Sequence, residues 1–348
     1  MRVGLYHDDL PVPGIKPGGV PVLVHRLARE LSLRHHDVTV WTRGSAPADA
    51  NYRHVRLWPR LSGDSKLLRT FVIPVLHNAV KWQGIDVLHL HGDDFFMFRR
   101  SVPTVRTLHG SALLEARYAT SLKRAAFQTV IAGLEYFSTR LATVSYGVGP
   151  GVPAMYPTVG SLDNGVEVPA SVALERQGAP AILFVGTWEG RKRGKMLHRL
   201  FLEQVRRKVP DAELWMVSDR CEPATGVHWI AAPTDAQLVD LYRRAWVMCH
   251  PSRYEGFGIT YLEAMANGLP IVSSPNPGAR YVLGEKLSEV SLIRDEELGN
   301  SLVEVLLDGR LRRDRARQGR QRVKHFSWDA VIERHLAAYR LAIATFHS

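Results

Sequence analysis

The sequence predicts an α/β protein made of two doubly wound, parallel-sheet domains. Three observations lead there. Short β-branched runs alternate with helix-forming stretches, the pattern of βαβ units. The alternation lapses once, in the glycine- and proline-crowded stretch 146-YGVGPGVPAMYPTVGSLDNGVEVP-169, and then restarts. At 348 residues the chain is long enough for two domains, each burying its own core.

In the first half, strands are expected at 2-RVGLY-6, 38-VTVW-41, 86-DVLHL-90, 104-TVRTL-108 and 141-LATV-144, with helices at 20–34, 65–82 and 122–140. The second half gives strands at 181-AILFV-185, 212-AELWMV-217, 227-VHWI-230, 246-WVMCH-250 and 270-PIVSS-274. Its helices are expected at 195–208, 234–244, 259–267 and 295–307. An amphipathic helix over 327-SWDAVIERHLAAYRLAIATF-346 closes the chain, with Ser327 as its N-cap. Connections between parallel strands cross right-handed. Open sheets of this kind bind ligands outside the carboxyl ends of their strands, here between the domains.

Composition narrows the class. The chain is 45% hydrophobic and 23% charged, as globular proteins are. Its start, MRVGLYHDDLP, meets acids and proline too soon for a signal peptide's apolar core. No apolar run approaches the roughly 20 residues of a membrane span. Two cysteines, Cys221 and Cys249, make neither a disulfide framework nor the usual cysteine-rich zinc site. A cytoplasmic location is expected. A formal charge of +11 and an isoelectric point near 9.8 point to an anionic partner: nucleic acid, an acidic membrane face or a phosphorylated small molecule. The run 312-RRDRARQGRQRVK-324 reads equally well as an ordinary exposed helix surface.

Three stretches carry chemistry. The loop 11-PVPGIKPGG-19 ends in Gly18 and Gly19 and runs into a helix. Glycines there let backbone N–H groups approach an anion, with the helix dipole adding attraction; a flexible turn is the alternative. The second stretch, 184-FVGTWEGRKRGKML-197, repeats strand, glycine-rich loop and helix start. Arg191, Lys192, Arg193 and Lys195 would neutralise a diphosphate, although a nucleic-acid patch or solvated charge uses the same residues. Lys195 is followed by Met196, so the Ser or Thr of an ATPase P-loop is missing. In the third, 253-RYEGFGITYLEAMANGLPIV-272, Glu255 lies on the loop after a strand and Glu263 about one turn into the next helix. Ionised carboxylates accept hydrogen bonds from sugar hydroxyls, and the glycine bend between them aims N–H groups at a phosphate.

Together these residues resemble the retaining family-4 glycosyltransferases of the GT-B fold, two Rossmann-like domains facing across a cleft. The stretch 255-EGFGITYLEAMANGLPIV-272 is similar to that family's E-x7-E signature, and 18-GGV-20, 107-TLHG-110 and 163-DNGV-166 match as well. The resemblance implies an acceptor-binding domain over 1–165 and a nucleotide-sugar domain over 166–326. It implies a C-terminal helix, 327–348, that crosses back to the first domain. By the same resemblance Glu255 bonds the donor sugar, helped by the backbone of Phe257, Gly258 and Ile259. Glu263 then holds the ribose, Gly18 and Gly19 lie against the diphosphate, and His109 sits by the transferred sugar. The family commonly has an arginine directly after the strand-end glycine, Gly186, and a lysine seven residues past it. Here those positions hold Thr187 and Arg193. Arg193 first and Arg191 second are therefore expected to hold the diphosphate.

The implied reaction moves a hexose from a nucleotide-diphosphate sugar to an acceptor hydroxyl with retention. No metal and no cofactor beyond the donor are expected, since fixed cations and N–H groups can stabilise the leaving diphosphate. The pairs 8-DD-9 and 93-DD-94 read as turn or cap acids, not as a metal motif. The acceptor, a small molecule, glycan or lipid-linked group, is expected to meet the loops 7-HDDLPVPG-14 and 91-HGDDFFMF-98. Nucleic acid is not an expected partner, whereas peripheral contact with an anionic membrane is compatible with the basic face. Two other readings stand beside this one. A sugar-nucleotide epimerase of the same fold would make product from donor alone. A basic membrane- or nucleic-acid-binding protein would bind in a strongly salt-dependent way without Glu255 and Glu263.

Overall fold

The computed structural model describes residues 1–12, 18–59, 68–117 and 121–348. They form two units, Met1–Gly165 with Trp328–Ser348, and Val166–Ser327. Both are parallel sheets with helices on their faces.

The first unit runs β1 (Arg2–Tyr6), α1 (Gly19–Leu33), β2 (Asp37–Thr42), β3 (Arg53–Arg56), α2 (Ile73–Leu76), β4 (Val87–Leu90), β5 (Thr104–Leu108), α3 (Ala112–Arg117), α4 (Leu122–Leu141) and β6 (Val144–Gly147). Its sheet order is β3-β2-β1-β4-β5-β6, every pair parallel. The order reverses beside β1, so the loops after β1 and β4 diverge at one edge. Strand β3, RHVR, was not expected, because an edge strand carrying two arginines shows no apolar run. The strand expected at 141–144 lies later. Ser121 caps α4, which continues through Leu141, and β6 pairs Val144–Gly147 with Val105–Leu108. Of the helix expected over 65–82, the described part is a π-helical turn at Leu68–Val72, then α2, then a 3₁₀ turn ending at Ala79.

The second unit contains β7 (Ala181–Val185), α5 (Gly194–Leu200), α6 (Arg206–Lys208), β8 (Glu213–Val217), β9 (Val227–Ile230), α7 (Asp235–Arg244), β10 (Val247–His250), α8 (Ile259–Ala266), β11 (Ile271–Ser273), α9 (Pro277–Ser291), α10 (Leu298–Leu307) and α11 (Gly309–Val323). A π-helical turn, Phe201–Val205, joins α5 to α6. Strand order is β11-β10-β7-β8-β9, with the reversal beside β7. Buried Ile182, Phe184, Leu214, Met216, Val247 and Val272 form the sheet's share of the core. Helix α9 escaped sequence analysis; Gly284 at φ 71° breaks its periodicity with a kink.

The arginine-rich run of 312–324 lies on α11 and is no simple solvated face. Arg312 donates to the carbonyls of Val305 and Leu306 at the end of α10. Arg320 reaches the Ala266 carbonyl at the end of α8, and Arg322 reaches Tyr281 and Val282 beside the kink of α9. These guanidiniums supply donors to helix carbonyls that lack intrahelical partners.

The last helix, α12 (Trp328–Phe346), belongs to the first unit. Its Trp328, Val331, Ile332, Leu336 and Tyr339 join Val3, Leu5, Val87 and Val105 in one core. The chain enters this contact tightly: a Cβ on Gly165 would come 2.6 Å from the Trp328 indole. Among the described residues no helix is long and apolar enough to cross a membrane, and both cysteines are unpaired.

Candidate functional site

The second unit's site grows from its sheet order. Because β10 lies beside β7, the loops that follow these two strands meet. They are stitched by backbone: the Arg253 N–H donates to the Arg191 carbonyl at 2.9 Å, and Ser252 Oγ lies 3.2 Å from the same oxygen. Gly186 makes the first loop possible, since a Cβ there would lie 2.8 Å from Phe184 and 3.1 Å from Lys192 Cβ. Its own N–H is engaged by the Val217 carbonyl. The loop therefore folds back across β7 and sends Lys192 toward β10.

The Glu255 carboxylate, 5% exposed, is the focus. Its Oε1 accepts from Lys192 Nζ at 2.6 Å, Ser252 Oγ at 2.7 Å and Arg191 Nη1 at 2.9 Å, and lies 3.1 Å from His250 Nε2. Burial alone would raise this carboxyl's pKa; the His250 hydrogen bond and the charges of Lys192 and Arg191 outweigh it and hold Glu255 well below the ordinary range. Burial lowers His250 to about 4, so it is neutral near pH 7. Burial also lowers Lys192, against the pull of Glu255. The carboxylate is thus fixed in place and ionised, with two cations beside it.

The bend after Glu255 is built for close approach. Gly258 has φ 97°, and a Cβ there would strike Tyr261 at 2.4 Å. It precedes α8, whose N-terminus has no side-chain cap and no acid in its first turn. Phe257 is an anchor, its ring packed 5.9 Å from Phe326 and 6.1 Å from Tyr281, so only its backbone can serve a ligand. Ile259 is the first residue of α8. Glu263 is the fifth, past the turn where a helix dipole would explain an acid, and it accepts a 2.8 Å hydrogen bond from buried Tyr242. A Cβ on Gly278 would fall 2.4 Å from the Glu255 carbonyl, so α9 also depends on glycine to pack behind this loop.

Arg193 lies apart from this cluster. It takes the left-handed conformation, φ 57°, at the start of α5. That turn sends its guanidinium to Asp295, at 2.5 and 2.9 Å, to Ser274 Oγ at 2.8 Å and to the Pro251 carbonyl. Lys192, which sequence reasoning named without favouring, occupies the place beside Glu255 instead. His250 and Ser252 were missed. The available signal was a polar residue ending the otherwise apolar strand 246-WVMCH-250. A separate depression of about 650 Å³ follows α5, between Trp188, Met196, Leu202 and Glu222, and excludes Glu255.

In the first unit a cavity of about 420 Å³ opens at the carboxyl ends of β4 and β5. Val20, which follows Gly18 and Gly19 at the head of α1, lines it together with His109, His91, Asp93, Arg106 and Glu135. Gly18 precedes α1 without side-chain capping, and a Cβ on Gly19 would meet nothing within 4 Å. The structure thus brings the Gly18–Gly19 turn and His109 toward one cavity, while Glu255 and its neighbours belong to the other unit. His91 Nδ1 lies 3.0 Å from His109 Nε2, their rings stacked 5.2 Å apart. Burial lowers His109 to about 3 and His91 well below its usual value, so both are neutral. The buried atoms His91 Nε2 and Arg106 Nη1 have no hydrogen-bond partner. Burial, then repulsion from Asp8, pushes Asp93 up to about 6.

Two family models match the chain: "Glycosyl transferases group 1" over residues 172–322 and "Glycosyltransferase Family 4" over 17–147. A phosphatidyl-myo-inositol mannosyltransferase of Mycobacterium tuberculosis is 27% identical over 97% of this chain and 96% of its own. The O-antigen chain mannosyltransferase B of Escherichia coli is 28% identical over 46% of this chain and 45% of its own. Among solved structures, a sucrose-phosphate synthase from Thermosynechococcus elongatus superposes with TM-score 0.75 at 19% identity, covering 99% of both chains. WaaG, a glycosyltransferase involved in lipopolysaccharide biosynthesis, gives TM-score 0.64 at 16% identity, over 96% of this chain and 98% of its own. These likenesses show the GT-B fold.

Proposed function

We propose, starting from a chain that belongs to the group 1 glycosyltransferases, that this enzyme uses a nucleotide-diphosphate sugar and retains anomeric configuration without a metal. Mannose is the first candidate sugar, because the relatives that match most of the chain are mannosyltransferases. One observation carries the reading: an ionised, immobilised Glu255 with Lys192 and Arg191 on it, at the uncapped start of α8.

Each part has a task. Glu255 Oε1 is already saturated with donors, so the carboxylate works by holding Lys192 and Arg191 in place and by offering its remaining acceptor capacity to sugar hydroxyls. Lys192 and Arg191, with the first N–H groups of α8, face the charge that develops on the departing diphosphate. Glu263, steadied by Tyr242, accepts from the ribose hydroxyls. Arg193 shapes the loop through Asp295 and leaves the diphosphate to its neighbours. In the first unit, the cavity beside His91, Asp93 and Arg106 takes the polar end of the acceptor, where the unpartnered donors and acceptors match a polyol. The acceptor hydroxyl attacks on the face the diphosphate leaves, the C–O bond to the diphosphate breaks, and the leaving phosphate oxygen takes the hydroxyl proton.

Thermal unfolding with UDP, GDP, dTDP, ADP and CMP tests the donor half. At about 100 times its dissociation constant the right nucleotide stabilises by roughly 2.7 kcal/mol. A shift with one diphosphate that disappears in Lys192→Ala supports the site. Flat curves with all five would remove the nucleotide donor, and an inverted product in the NMR spectrum would remove retention.

A further inference from the structure

Helix α4 shows an apolar stripe to water. An ordinary surface helix hides its apolar stripe and shows its polar one to water. Here the fully buried positions of α4 are Ser138 and Thr139, while Leu122, Val130 and Phe137 are 91%, 55% and 46% exposed. With exposed Ala126 and Gly133 they form one stripe along the helix, spaced three and four residues apart.

The stripe continues onto neighbouring elements. The Phe98 ring, also exposed, packs 6.3 Å from Phe137; Phe96 lies 6.4 Å from Phe98, and Phe71 lies 6.0 Å from Phe96. Four aromatic rings therefore run in a row from α4 to the π-helical turn before α2, and exposed Val72 in that turn and Val75 in α2 extend the apolar surface. Cations frame it. Lys123 stands at the start of α4, and Arg99 follows Phe98. Arg140, at the end of α4, stacks 5.1 Å over the Tyr136 ring and donates to its hydroxyl. The exposed carboxylate of the neighbouring helix α3, Glu115, is paired with Arg124.

We infer that this face of the first unit docks on an anionic lipid bilayer. Aromatic rings with arginines at their margin suit the bilayer interface, where the ring enters the headgroup boundary and the cation meets lipid phosphate. A second copy of the chain is the poorer occupant, because a two-fold pairing of this face would bring its cations, Lys123, Arg99 and Arg140, against those of the partner copy with no exposed acid between them on the α4 stripe. The opposite side of α4 gives the contact a purpose. Phe127, Gln128, Ile131 and Glu135 line the cavity of His91 and Asp93. Docking would hold that cavity at headgroup level, so the acceptor would be a polyol headgroup on a lipid tail. This last step rests on the acceptor assignment made above; the docking itself does not.

The test is sedimentation of the full chain with phosphatidylcholine vesicles and with vesicles containing about 30% phosphatidylglycerol. Binding to the anionic vesicles, weakened by salt and lowered roughly tenfold or more in Val130→Ser/Phe137→Ser, is expected. Far-UV circular dichroism and the nucleotide-induced thermal shift should be unchanged in the variant, which separates lost docking from misfolding. Binding to neither vesicle, or equal binding by variant and parent, would overturn the inference. So would dimers in solution that the same variant dissolves, which would give the face to a second copy. Vesicle binding needs no donor, so a failed nucleotide shift and a failed sedimentation are separate results.

Discussion

The two units reverse strand order beside their first strand, yet they finish the resulting edge in opposite ways. In the second, the loops after β7 and β10 close on a single carboxylate oxygen that already has Lys192, Arg191, Ser252 and His250 around it. In the first, the cavity beside β4 and β5 leaves His91 Nε2 and Arg106 Nη1 buried without partners. A pre-organised cluster meets a transition state without rearranging, which suits a diphosphate whose charge must be met as it forms. Unsatisfied buried polar atoms are costly until something completes them, which suits a group whose hydroxyls must be selected. Under the proposed function, the contrast puts chemistry in the second unit and choice of acceptor in the first.

The strongest way to break that contrast is Lys192→Ala. Losing a fixed cation beside the leaving group should lower kcat by about 10²–10³-fold, some 3–4 kcal/mol. A purely structural lysine would instead leave kcat intact while lowering the melting temperature. Arg193→Ala is the companion experiment. It should cost about 2 kcal/mol in urea unfolding through the lost Asp295 and Pro251 contacts, yet keep the nucleotide-induced thermal shift. A vanished shift would return the diphosphate to Arg193.

On the first unit, His91→Phe should raise the acceptor KM roughly tenfold, about 1.4 kcal/mol, and leave the nucleotide shift alone. An unchanged acceptor KM would detach the cavity from the acceptor. The smallest expected effect is in pH. Asp93, pushed up to about 6, holds its proton more tightly folded than unfolded. Its ionisation therefore weakens the fold, with no effect below about pH 4 and the full effect above about pH 6. Glu255 is displaced the other way, so its contribution is present above about pH 4.5 and disappears as pH falls further. Melting temperature in Asp93→Asn should lose its decline between pH 4 and 6 and keep the acid-side collapse. An unaltered profile would mean that Asp93 is solvated like any surface acid.

The second unit's site was the more legible in sequence because most of it is local. Glu255, Gly258 and Glu263 lie within one loop and one helix, and a glycine between two acids states its own reason. Lys192 was harder. The left-handed turn at Arg193 decides which of two adjacent cations faces Glu255, and nothing in RKRG announces that turn. His91 and Arg106 were harder still, because adjacent strands bring them together from separate stretches. Strand β3 and helix α9 stayed hidden for related reasons, one at a charged edge and the other kinked at Gly284. Net charge was the least specific signal. Part of the arginine-rich surface is a set of donors for the carbonyl ends of α8 and α10 and the kink of α9.

The return of α12 has a consequence for how the protein is born. The core around β1 and β4 requires Trp328, Ile332 and Tyr339, which leave the ribosome after the whole second unit. At roughly 5–20 residues per second, the nascent first unit waits on the order of ten seconds with that side of its sheet bare, while the whole second unit is synthesised. The second unit, continuous in sequence, can close as it emerges; the first cannot until residues 328–348 have followed it. Of the two units, then, the one begun first is completed second, and it is the one that exposes apolar sheet in the interval.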